Sequence, residues 1–283
     1  MMHVVEAGLR STVQDRGRWE HLRLGVPPSG PADPAAFQAA NALVDNGDDA
    51  AAIEVIGMPF VFRLDDARLV AVTGRDAWLS IRSRLPGWTS VFVRPGETVT
   101  VRRGERTRYA YVALSGGIAT PPILGSRAAY LPAGIGRALT SGEELPLGLS
   151  TSGAHYAART LEAPSYDGRI RVIDGPHTER FEPDVLARFY GSAFQVDETS
   201  DRQGTRLVGP PVAPRGGELL SCGVVAGAIQ VPRGGAPIVL LADHQTTGGY
   251  PVIATVIEAD LGKVAQANPG ETLRFYRFER ATA

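Results

Sequence analysis

Apolar residues along the chain gather in short runs of four to seven, rich in β-branched and aromatic side chains. Gly, Pro, Asp or Asn closes each run. Residues 60–64, 67–72, 90–93, 98–102, 109–114, 169–173, 237–241 and 273–278 follow this pattern, which predicts strands separated by tight turns. Helical periodicity is scarce. Residues 34–43 follow Asp33, a good N-cap, with Pro34 at the first helical position. Residues 183–189 predict a second short helix and 255–265 a third, the latter weakened by Gly262. The chain therefore reads as mainly β, with short helices covering barrel or sheet ends.

Several short strings recur in the same order. Asp15-Arg16-Gly17 is echoed by Asp201-Arg202-Gln203-Gly204, and Ala52-Ile53-Glu54-Val55 by Ala228-Ile229-Gln230-Val231. Met58-Pro59-Phe60-Val61 returns as Ala236-Pro237-Ile238-Val239, and Pro95-Gly96-Glu97-Thr98-Val99 as Pro269-Gly270-Glu271-Thr272-Leu273. The shared order predicts a duplicated β domain. A boundary in the polar, small-residue stretch 151–167 gives domains of 1–165 and 166–283.

Composition narrows the function. The 283 residues carry 29 basic and 30 acidic side chains, a net charge of -1. No strongly basic face for nucleic acid is implied, nor an acidic tail. The 33 glycines and 21 prolines fit many tight turns. A single cysteine, Cys222, excludes a disulfide within the chain, and the five histidines include no pair at metal-ligand spacing. The N-terminal sequence lacks a signal peptide's apolar centre and no apolar run approaches a membrane span, so no membrane association and a cytoplasmic location are expected. Lys263 is the one lysine.

Three clusters carry candidate chemistry. An apolar run leads into Asp243, His244, Gln245, Thr246 and Thr247, then Gly248 and Gly249. Hydroxyls, an amide and bare backbone at a strand's end suit a small polar ligand, although a hairpin turn would account for the glycines alone. Asp201, Arg202 and Arg206 place a carboxylate and two guanidiniums within six residues; these fit an anion clamp or a surface ion-pair loop. Gln14, Asp15 and Arg16 form a similar N-terminal cluster. The glycine-rich segments 115–117 and 134–137 match neither a P-loop nor a dinucleotide fingerprint. Cys222 reads as a buried small residue, Lys263 as an exposed helix lysine, and His244 as the best-placed general base of the five histidines.

These motifs resemble the KipA family, also called allophanate hydrolase subunit 2 or the biotin-dependent carboxyltransferase-like family. The likeness is carried by residues 11–18 (STVQDRGR), Ile53-Glu54, Ser115-Gly116-Gly117, Leu124-Gly125-Ser126-Arg127 and Gly136-Arg137. Asp201-Arg202, 227–232 (GAIQVP) and 245–251 (QTTGGYP) extend it over essentially the whole chain. The resemblance implies two tandem cyclophilin-like β-barrel domains. It also implies work with two partners, a KipI-like protein (the B subunit) and a LamB/YcsF-type protein (the A subunit). Together these open the lactam of 5-oxoproline to glutamate in an ATP-dependent reaction. On that reading Asp243 and Asp201 are catalytic. Arg202 and Arg206 take phosphate or the substrate carboxylate, and Gln230, Gln245 and Thr247 bind the lactam amide beside Gly248 and Gly249. The cluster of Gln14, Asp15 and Arg16 is a second candidate. Two alternatives stand beside it: carboxyl transfer from carboxybiotin held on another chain, and a non-catalytic partner of a KipI-like regulator.

Overall fold

The computed structural model describes residues 1–57, 59–150, 153, 157–217 and 219–278. Met58, His155 and part of the expected boundary stretch lie outside the described residues. The chain divides into two compact units: Met1–Arg18 with Ser29–Pro164, and Trp19–Pro28 with the chain from Ser165 onward. A segment from the first half thus groups with the second, which a contiguous division at residue 165 does not anticipate. No helix among the described residues is long and apolar enough to cross a membrane.

The first unit holds β1 (Met2–Glu6), β2 (Arg10–Gln14), α1 (Pro34–Leu43), β3 (Ala52–Ile56), β4 (Phe60–Leu64), β5 (Arg68–Thr73) and β6 (Ala77–Ser80). After these come β7 (Arg84–Pro86), β8 (Thr89–Val93), β9 (Thr98–Arg103), β10 (Ala110–Leu114) and β11 (Glu144–Leu145). One sheet runs β11-β1-β4-β9-β6-β7 and the other β2-β3-β10-β5-β8. Phe60 and Phe62 from the first, and Val70, Val72, Val112 and Leu114 from the second, share one fully buried core. β10 is apolar throughout because it is central and covered on both faces. Its Val112 enters that core, while Tyr111 meets Phe37 of α1 edge to face at 6.0 Å. Asp33 caps α1 as its sequence predicts, accepting from the Ala36 N–H at 3.1 Å.

The second unit is a closed barrel with strand order β12-β19-β16-β17-β14-β13-β20. Its elements are β12 (Arg169–Asp174), α2 (Pro183–Gly191), β13 (Phe194–Val196), β14 (Gly204–Val208), β15 (Cys222–Gly223), β16 (Ala228–Gln230) and β17 (Ile238–Leu240). The remainder are β18 (Thr247–Gly248), β19 (Val252–Val256), α3 (Glu258–Gln266) and β20 (Thr272–Arg277). The barrel closes through the parallel pair β12 and β20. Phe189 of α2 stacks on Phe275 at 4.9 Å, fixing that helix against the barrel. β15 and β18 pair apart from the barrel as a two-stranded arm.

The mainly β architecture with short helices is as the sequence indicates. The third helix differs: it begins at Glu258, and Thr255 and Val256 belong to β19, opposite Ile173 and Val172 of β12. β-Branched side chains on a paired strand outweigh a helical reading there. Lys263 is not a freely exposed cation either. Its Nζ donates to the Arg169 carbonyl at 3.1 Å and lies 3.3 Å from Asp260, tying α3 to β12.

One echoed string folds alike in both units. In each, a glycine of positive φ (Gly96, Gly270) leads into a strand. In each, a glutamate accepts from the backbone N–H three residues before it: Glu97 from Arg94 at 2.9 Å, Glu271 from Asn268 at 3.1 Å. The string Pro-Gly-Glu-Thr thus encodes one turn twice.

Candidate functional site

The two clusters of the second unit meet because β14 begins where β17 ends, with Gly204 opposite Leu240. The Leu241 N–H donates to the Gln203 carbonyl at 3.0 Å and the Asp243 N–H to that of Arg202 at 2.9 Å. Held this way, the Arg202 side chain meets Asp243 bidentately, Nε to Oδ2 at 2.8 Å and Nη2 to Oδ1 at 3.1 Å. Both are buried, 9 % and 5 % exposed. With the guanidinium across both its oxygens, Asp243 ties the 201–206 turn to the loop that follows β17. Asp201 faces solvent and accepts the N–H groups of Gln203 and Gly204 at 2.8 and 3.3 Å, an Asx turn that shapes its own loop. Both predicted acids are engaged within their own loops, and Arg202 is committed to Asp243.

Gln230 is placed differently. Across β14, β17 and β16, Thr205, Val239 and Ile229 form one rung and Arg206, Ile238 and Gln230 the next. Directly paired residues point to the same face. The first rung is fully buried and fills the barrel, so the second points outward. There Arg206 is exposed, while Gln230 is 2 % exposed beneath the loop that carries Gln245 and Gly248. Gln245 Nε2 donates to Gln230 Oε1 at 2.9 Å. That contact fixes the Gln230 amide with its Nε2 donor side free of any acceptor among the described residues. Gly248 passes so close that a Cβ on it would stand 2.4 Å from that Nε2. Arg206 and Gln230 sit two strands apart on one face, roughly 10 Å between Cα atoms.

Thr247 is exposed opposite Gly223, and Gly249 packs on the Leu219 carbonyl. Cys222 lies on the same surface arm and is exposed, contrary to its sequence reading, because β15 pairs only with β18 and nothing covers its outer side among the described residues. His244 is buried, and its Nδ1 donates to the Gln245 carbonyl at 2.6 Å in the neutral ring. Burial pushes its pKa below the usual 6.5, against the opposing pull of that carbonyl and of Asp243. The folded protein thus binds this proton less readily than the unfolded chain. Stability is full above pH 6.5 and declines as pH falls below it. Urea unfolding at pH 7.5, 6 and 5 should show this decline, and His244→Gln should flatten it.

The N-terminal cluster is structural in its contacts. Asp15 accepts from Ser126 Oγ and the Arg127 N–H, both at 2.5 Å, and from the Gly17 N–H at 2.9 Å. Gln14 Nε2 donates to Thr12 Oγ1 and the Ala129 carbonyl. Arg16 is half exposed, 3.8 Å from Asp49. Gln14 and Asp15 therefore staple the 126–129 segment to β2. A buried pair that residue-type reasoning did not combine lies nearby: Tyr111 donates to Glu54 Oε2 at 2.8 Å, and Glu54 also accepts the Ala32 N–H at 2.9 Å. Burial first, then the Glu54 charge, pushes the Tyr111 phenol well above its usual range. The 57 residues separating Tyr111 from Glu54 hid the pairing.

Comparison with known proteins adds four findings. The family described as carboxyltransferase domain, subdomain A and B, matches residues 24–277. The chain is 36 % identical over 282 residues to the C subunit of 5-oxoprolinase from Escherichia coli (strain K12), covering 97 % of this chain and 90 % of that protein. It is 30 % identical to urea amidolyase of Saccharomyces cerevisiae over 95 % of this chain, a match that takes up 16 % of that protein. Among solved structures, that of TTHA0988 superposes with a TM-score of 0.88 at 32 % identity, covering 97 % of this chain. This chain spans 55 % of the length of that structure.

Proposed function

Because this chain belongs to the family of carboxyltransferase domains with subdomains A and B, we propose that it is the C subunit of a 5-oxoprolinase and presents the substrate on the outer face of its barrel. The observation that carries the reading is the Gln230 amide. It is buried, held by Gln245, offers an unused donor, and shares a rung with exposed Arg206. 5-Oxoproline has a lactam carbonyl and a carboxylate, which match one amide donor and one guanidinium. Gln230 Nε2, covered by Gly248 in this structure, donates to the lactam oxygen when the loop carrying Gln245 and Gly248 moves aside, and so favours negative charge building there. Arg206 takes the carboxylate. Arg202 and Asp243 hold the loop from which Gln245 and Gly248 reach the site.

Hydrolysis of an unstrained amide needs its carbonyl made more electrophilic, which ATP supplies when bound. The glycine-rich loops of this chain carry neither a P-loop nor a dinucleotide fingerprint. Gly116 lies against the carbonyls of Gly148 and Leu149, and Gly136 against Ala129, so each loop is filled by its own chain. On this reading ATP is bound together with a partner, the KipI-like or the LamB/YcsF-type protein, and this chain is inactive alone. The deciding assay is ATP-dependent glutamate release from 5-oxoproline by this chain with both partners, with each omitted in turn. Loss of turnover when this chain is left out is expected; turnover that persists without it would overturn the assignment.

Gly248→Ala gives a sharper test. The far ends of the Gln230 and Gln245 side chains must yield to the new methyl and no backbone need move, so the melting temperature should stay within about 2 °C. Swinging the Gln230 amide away should raise KM for 5-oxoproline about tenfold.

The likeness to urea amidolyase favours one second reading, carboxyl transfer from carboxybiotin to a urea-like acceptor. Biotin would come on another chain, since Lys263 is tied to Asp260 and Arg169. A biotinylated protein co-purifying with this chain, together with no glutamate release, would favour it.

A further inference from the structure

The first unit contains a cleft that the reading above leaves unused. It measures about 200 Å³ and opens between β2, the 120–129 segment and the 136–145 segment. Val13, Ala128, Leu139 and Leu145 form an apolar floor, and Arg127 and Arg137 line the wall. Two of the motifs singled out from the sequence, Leu124-Gly125-Ser126-Arg127 and Gly136-Arg137, meet here although neither is adjacent to the other in the chain.

Of the two guanidiniums lining the cleft, one is taken up by a lining carboxylate and one is not. Glu143 is taken up by Arg137 Nη1 at 2.5 Å and by the Thr140 N–H at 3.0 Å. That pair is neutral. Arg127 is half-buried, and its Nε donates to the Thr120 carbonyl at 2.6 Å, which sets the plane of the guanidinium. Its two terminal nitrogens have no acceptor among the described residues. Asp15 lies behind the wall, already occupied by Ser126, the Arg127 N–H and the Gly17 N–H. The cleft thus presents one oriented guanidinium with both terminal nitrogens open above an apolar floor, while the Asp15 carboxylate, bonded only by neutral donors, keeps its charge behind the wall.

We infer that this cleft is a second ligand site, taking a small monocarboxylate with a compact apolar body. The Arg127 fork is built for a planar anion with two oxygens, which it holds bidentately. The floor offers nothing to a polar body and gains by covering an apolar one. A cleft of about 200 Å³ suits a small molecule with a compact body. The site rests on the first unit alone and does not depend on the proposed activity.

Cyclopentanecarboxylate is the probe, with neutral cyclopentanecarboxamide beside it, titrated against the full chain and followed by saturation-transfer NMR. Both titrations are repeated in Arg206→Gln, which removes the carboxylate arm of the second unit. Saturable binding of the carboxylate in both backgrounds is expected, with the amide at least tenfold weaker. Arg127→Gln should weaken the carboxylate about tenfold, the loss of a charged hydrogen-bond partner. Ile123→Trp, at the exposed rim of the cleft, should block it while leaving the melting temperature unchanged. Ile123→Trp decides the matter if Arg127→Gln loosens the 120–129 segment. Equal affinity for acid and amide would overturn the inference. So would absence of saturable binding, or carboxylate binding unaffected by Ile123→Trp.

Discussion

Asp243→Ala lowers stability by about 3–5 kcal/mol, because it leaves the Arg202 guanidinium buried without its carboxylate. In a unit of this size that is a fall in melting temperature of roughly 10 °C or more. Arg202→Ala should cost a similar amount for the mirror-image reason. The double substitution Arg202→Met with Asp243→Leu removes both charges and fills the space with apolar atoms, and most of the stability should return. Thermal unfolding of the four proteins measures this directly. Turnover of the folded double variant then separates two roles for Asp243. Activity within about tenfold of the parent identifies a frame for the Gln245–Gly248 loop. A loss of several orders of magnitude, at restored stability, would make Asp243 a participant in proton transfer and refute its structural assignment.

The second large effect falls on Arg206. Its side chain is exposed and joins no ion pair among the described residues, although Asp197 is near enough to feel its charge. Arg206→Gln should therefore leave the melting temperature within about 2 °C. If it holds the substrate carboxylate, kcat/KM for 5-oxoproline in the assembled enzyme should fall about 10–100-fold, the size of a lost charge-assisted hydrogen bond. Most of the change belongs in KM, since the carboxylate is charged in ground and transition states alike. Arg206→Lys should recover part of it by restoring charge without the planar fork. An unchanged kcat/KM in both variants would remove Arg206 from the substrate site and leave Gln230 without its partner.

The contrast between Arg202 and Arg206 shows what a sequence window resolves. They are four residues apart and alike in composition, and the sequence suggested that both hold one anion. The structure turns one inward to Asp243 and leaves the other on the barrel's outer face, because Arg202 precedes β14 and Arg206 stands within it at an outward position. Asp201 and Asp15 begin the same echoed string yet do different work. Asp201 closes its own turn, whereas Asp15 reaches the segment around Ser126, 111 residues away.

What the sequence determined alone was local. Short β-branched runs between turn residues made strands, Asp33 with Pro34 started α1, and Pro-Gly-Glu-Thr twice made one turn, since each depends on contacts within a few residues. Gln245 and Gly248 were legible as candidates for a related reason, a polar run ending in glycines directly after an apolar strand, whereas Gln230 entered only through the family resemblance of the string 227–232. Tertiary structure alone decided which partners Asp243 and Asp15 meet, that Trp19–Pro28 groups with the second unit, and that Arg127 and Arg137 line one cleft. Those outcomes depend on strand register, which fixes the face each side chain takes, and on pairs separated by tens of residues. A shift of one residue in register would turn Gln230 inward and Ile229 out, and composition carries no trace of that choice.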